Sequence, residues 1–143
     1  MATHSPVPGW FKAVAVMLII WALAGVAAFL SQFTMSAEAA AQLPQEQQDM
    51  WVSMPVWAWS AYAVAVASGL AGAVCIFLRS KLAVILFPVS LIAVLAQFAY
   101  PFVIAKGLTT LGASALVFPL FIIFMAALQS WLARDWAAKG WLT

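Results

Sequence analysis

The sequence predicts an all-α polytopic membrane protein, with four transmembrane helices in one antiparallel bundle and both termini on the cytoplasmic side. Three observations predict it. Of the 143 residues, 67% are hydrophobic and 7% charged, with a mean hydropathy of +1.07. A soluble domain is nearer about 45–50% apolar and about 25% charged. Four apolar runs, near 11–33 (uncharged after Lys12), 56–78, 83–105 and 112–132, each have the roughly 20-residue length that crosses a bilayer as a helix. The basic residues lie at the ends of these runs. With the N-terminus inside, Lys12, Arg79, Lys81, Arg134 and Lys139 are cytoplasmic and Lys106 alone is outside, a positive-inside bias. The spans and their loops occupy 1–143 as a single membrane domain.

In chain order, a short tail with Pro6 and Pro8 leads to Trp10, Phe11 and Lys12, an aromatic and basic interface before the first span. A cleaved signal peptide is the rival reading, because Ala37–Gln42 offers small residues suited to processing. The apolar run is longer than the about 7–15 residues of a signal core, so a retained first helix is expected. The segment 34–55 is the long outer connection and holds three of the four acidic residues, Glu38, Glu46 and Asp49. Pro44 is placed to start a short interfacial helix there. The second span opens on Pro55, Trp57 and Trp59 and closes on Arg79-Ser80-Lys81. Pro88 and Pro119 fall early in the third and fourth spans, where a missing amide bond costs less than mid-helix. Trp10, Trp51, Trp57, Trp59, Trp131, Trp136 and Trp141 are expected at the two interfaces, where indole rings prefer to lie.

Past Lys12 at the boundary of the first, the spans hold no Asp, Glu, His, Lys or Arg. Intramembrane ionisable groups would mark proton relays or ion pathways, so proton-coupled exchange through a membrane carboxylate is not expected. The one histidine, His4, lies outside the spans, and the one cysteine, Cys75, has no partner for a disulfide. No cofactor, metal site or catalytic pair is expected, and the scattered basic residues make no nucleic-acid surface. The chemistry left is neutral. Gln32 and Ser31 end the first span, Ser60 and Tyr62 open the second, and Gln97 and Tyr100 lie late in the third. Alternating helix direction puts all of them in the outer half of the membrane. Gln32, Ser60, Tyr62, Gln97 and Tyr100 are therefore the candidate polar pocket, open to the outside and suited to a neutral hydroxylated solute. The competing reading has these groups bonded to each other between helices. Gln129, near the inner end of the fourth span, has no evident partner at its depth.

Ala61, Ala65, Ser68 and Gly72, with Gly69 at the edge and Cys75 beyond, form a stripe of small residues on the second span. Small residues at this spacing let helix backbones approach closely. The stripe predicts a tightly packed neighbour, either another helix of the chain or a second protomer.

The stretch Ser68–Gln97, SGLAGAVCIFLRSKLAVILFPVSLIAVLAQ, resembles the centre of small four-helix bacterial inner-membrane proteins that often carry the label "sugar transporter". The shared features are an N-terminal Trp, an Ala/Leu/Pro/Gln-rich outer loop and a Pro-x-Trp entry at Pro55–Trp57. A Gly-rich helix, an Arg-containing turn, and Ser90-Leu91 before Gln97 complete the pattern. The resemblance implies a multi-pass protein of the bacterial inner membrane and adds to the case for transport, but it names no binding residue. From the sequence, the leading expectation is a non-catalytic accessory or structural membrane subunit, surrounded by lipid and set in a homo-oligomer or a larger membrane complex. The runner-up is an oligomeric carrier for a small neutral solute such as a sugar.

Overall fold

Long uninterrupted runs of Ala, Leu, Val and Ile favour helix wherever no water competes for the backbone, since every amide must be satisfied within its own segment. The structure, a computed structural model, describes residues 6–100 and 117–143. Six helices order these residues: α1 Phe11–Phe33, α2 Ala37–Ala41, α3 Gln45–Ser53, α4 Val56–Phe77, α5 Ala83–Ala99 and α6 Val117–Ala138. No strand occurs among the described residues. The 23-residue α1, 22-residue α4 and 22-residue α6 are long and apolar enough to cross a membrane, and they point to a membrane protein. The shorter α5 is also apolar, with 17 residues and Pro88 inside it. The expected third span to 105, the loop with Lys106, and the first residues of the expected fourth span lie outside the described residues.

Local chemistry explains the helix ends. The Ser36 hydroxyl accepts the Ala39 amide at 3.1 Å and caps α2. Pro44 precedes α3, whose Gln45 side chain donates to Asp49 across one turn at 2.8 Å. The end of α4 is a Schellman turn: Ser80 N–H reaches Cys75 O at 2.7 Å and Arg79 N–H reaches Ile76 O at 3.0 Å. It places Arg79 at φ 59°, a conformation unfavourable for a residue with a Cβ. A second such turn ends α6, with Trp141 N–H on Trp136 O at 2.9 Å and Gly140 at φ 79°. The expected fourth span stops at 132, whereas α6 runs to Ala138. No helix breaker occurs between 132 and Gly140, and Lys139 pairs with Asp135 one turn back at 3.0 Å, so Arg134 and Asp135 are helical residues.

The helices pack in the order α1–α4–α5–α6. The small-residue stripe of α4 faces α5. Ser90 Oγ donates to Ala65 O at 2.8 Å. A Cβ on Gly69 would come within 3.3 Å of Ser90 Oγ, and one on Gly72 within 2.9 Å of the Phe87 ring. Ser68 is buried but its hydroxyl bonds within its own helix, to Val64 O at 2.6 Å. Ala61 is half-buried at the end of the stripe.

One end of the bundle is densely cross-tied. Phe11, Ile76, Phe87 and Leu142 are fully buried there, and the Phe11 ring packs on Trp136 at 4.9 Å. Lys12 Nζ donates to Phe77 O at 2.5 Å. Arg79 Nε donates to Trp141 O at 2.8 Å, and Thr143 N–H donates back to Arg79 O at 3.0 Å. Trp136, expected near an interface, is 3% exposed and packs inside this end of the bundle. The α6 turn folds Trp141 and Leu142 back over it, so its ring meets protein on every side.

Candidate functional site

A different arrangement occupies the rest of the bundle. Every helix of the packed set contributes one face at i, i+3/i+4, i+7 spacing to a common cavity of about 280 Å³. Trp21, Gly25, Ala28 and Gln32 come from α1, and Tyr62, Ala65, Val66 and Gly69 from α4. Ser90, Val94, Gln97 and Phe98 come from α5, and Phe118, Ile122, Ala126 and Gln129 from α6. At about 30 Å³ of liquid volume per water, this is room for roughly nine waters or one small organic molecule.

The polar groups on this wall differ in what they already bind. Ser90 is committed to the Ala65 carbonyl. At the far end from the aromatic core, Gln32 Nε2 donates to the Tyr62 hydroxyl at 3.2 Å, with the Phe29 ring edge-on to Tyr62 at 5.0 Å. Gln97 and Gln129 are 9% and 5% exposed, and among the described residues neither side-chain amide has a hydrogen-bond partner. Neither amide is sealed in protein, because the polar atom buried without a partner among the described residues is Ser130 Oγ. Both therefore face the cavity. An amide offers two donors and one acceptor oxygen, here open to whatever occupies the cavity.

Of the five candidate pocket residues, Gln32, Tyr62 and Gln97 line this cavity and two do not. Ser60 is exposed on the outside of α4. Tyr100 donates instead to Ser53 O at 2.9 Å and Ser53 Oγ at 3.0 Å, tying the end of α3 to the end of α5. Trp51 of α3 donates its indole N–H to Gln32 O at 2.9 Å. Thus α3 straps the α1 and α5 ends together beside the Gln32–Tyr62 pair. Trp21 and Gln129 belong to the lining although the sequence reading left them out of the pocket. The signal was available for Gln129: it shares a helix face with Ile122 and Ala126, an amide on an otherwise apolar stripe.

Among the described residues, no charged side chain lines the cavity and no group of three metal-ligating side chains occurs. The lining offers hydrogen bonds from amides and hydroxyls, and apolar contact. That suits recognition of an uncharged molecule. No protein-family model matches the chain, and no curated protein or solved structure matches it either.

Proposed function

We propose that the chain is a four-span protein of the bacterial inner membrane, with both termini cytoplasmic, whose bundle interior binds a small uncharged solute and carries it across the bilayer. The observation that supports this most is the pair of buried, unpartnered amides, Gln97 and Gln129, on the wall of one cavity. A subunit with a purely structural role gains nothing from leaving two amides unpaired. This reverses the order in which the sequence ranks the two roles. The exposed apolar faces around Ile20, Ile85, Ile92 and Phe124 are covered by lipid as readily as by partner subunits, and so do not favour the accessory role. Four helices are few for two halves that rock about a site, so a carrier of this size works as a homo-oligomer.

Purified protein in liposomes is expected to give saturable flux of at least one member of a panel of labelled uncharged solutes, and Gln97→Leu to reduce it at least tenfold. Absence of flux across the panel would sink the carrier and return the accessory role. The orientation has its own test, in a Cys75→Ser background. A cysteine replacing Gln45 is expected to react with an impermeant maleimide in intact cells, and one replacing Thr143 to react only after lysis. The reverse pattern overturns the topology.

A further inference from the structure

The chemistry of the lining and the way the cavity is closed narrow the kind of molecule it takes. Resting on the reading of the cavity as a solute site, we propose that its ligand is an uncharged amphiphile from the bilayer, with an apolar body and one or two hydroxyl or carbonyl groups. It enters sideways between α1 and α6.

The supply of polar groups favours an amphiphile. Ser90 is committed to a backbone carbonyl, and Gln32 and Tyr62 bond each other at one end. Among the described residues, Gln97 and Gln129 are what remains, against walls of Trp21, Val66, Val94, Phe98 and Ile122. A sugar carries a hydroxyl on nearly every carbon. Each one left unpaired after dehydration weakens binding by about tenfold or more, and two amides cannot serve them all. An amphiphile with one or two polar groups matches two amides and fills the remainder with hydrocarbon.

Access to the cavity points to the α1–α6 side. Close packing runs α1–α4, α4–α5 and α5–α6, whereas α1 and α6 do not pack along their length. They meet through rings, by Phe11 on Trp136 at the cross-tied end and by Trp21 edge-on to Phe121 at 5.6 Å further along. Beyond that pair, Ala24, Ala28 and Phe118 line the cavity while being exposed themselves, Phe118 by 64%. Small residues on α1 thus leave the wall open on a face that lipid covers, and Trp21 stands both in the lining and in the ring pair that closes it.

Tryptophan quenching by a terminally brominated octanol, in phosphatidylcholine nanodiscs, tests this. Quenching is expected to saturate, to be relieved by excess octanol but not by glucose or glycerol, and to lose its saturable part in Trp21→Phe. Gln97→Leu/Gln129→Leu is expected to raise the half-saturation at least tenfold. Phe121→Ala, which removes the ring partner of Trp21 without touching the lining, is expected to speed the onset several-fold with half-saturation within about twofold. An unchanged onset would overturn the lateral route. If glucose or glycerol alters the Trp21-dependent emission while bromo-octanol quenches Trp21→Phe and wild type alike, the amphiphile is wrong and the solute site stands. If neither class gives a Trp21-dependent response in protein whose circular dichroism is unchanged, both fail.

Discussion

The two ends of the bundle are built on opposite terms. At the basic end, Phe11, Ile76, Phe87, Trp136 and Leu142 are buried against one another, and the last residues fold back so that Arg79, Trp141 and Thr143 exchange hydrogen bonds. Toward the other end, the same four helices leave about 280 Å³ open among Tyr62, Ser90, Gln97 and Gln129. Both regions are walled largely by apolar side chains, so hydrophobicity does not separate them. What separates them is the space left between the helices and the polar groups that face it. At the basic end Lys12, Arg79 and both helix-ending turns have partners, while two amides on the cavity wall have none among the described residues. The first region holds the helices together, and the second is where they leave room for something else.

Substitutions can break or sharpen this contrast. The largest effect is expected for Trp136→Ala, which empties a side chain that is 3% exposed and should cost about 3–5 kcal/mol in an unfolding titration in mild detergent. Trp21→Ala removes the same group from a wall that already faces space, and should cost less than half as much. Equal losses would erase the distinction between the two regions. Next come the glycines. A Cβ on Gly72 meets the fully buried Phe87 ring at 2.9 Å, whereas one on Gly25 meets Val66 at 3.6 Å, ordinary contact. Gly72→Ala is expected to lose about 1–3 kcal/mol through overpacking, outweighing a helix-propensity gain of about 1 kcal/mol. Gly25→Ala should be neutral or stabilising. A smaller effect is expected of Tyr62→Phe, which removes the bond from Gln32 and should lower stability by about 0.6 kcal/mol, the average for such bonds inside membrane bundles.

Much of the architecture is legible in the chain, because hydropathy and the placement of basic residues depend on segments alone. The helices around 11–33 and 56–78, and the small-residue face of α4, all follow from one-dimensional patterns. The pairing of that face with α5 does not, since the stripe offers the same close approach to a helix of the same chain or of a second copy. The burial of Trp136 is not legible, because its position near a helix end shows nothing of the turn at Gly140 that folds Trp141 and Leu142 over it. Gln129 is set aside for lacking a partner at its depth. The structure places it on the same wall as Gln97, and in a cavity the lack of a partner is the informative feature. Ser60 and Tyr100 share the depth of the other polar groups but not their direction. Depth comes from residue counting, whereas direction depends on which helices are neighbours.

Gln97 and Gln129 are held open rather than packed, and the thermal stability of Gln97→Leu/Gln129→Leu in lipid nanodiscs tests that most directly. If the amides face an open cavity, replacing them with leucine removes two unpaired polar groups, and the midpoint should stay level or rise while solute binding is lost. A fall equivalent to about 1–3 kcal/mol, with binding unaffected, would mean that the amides hold the helices together and that the cavity is not a site.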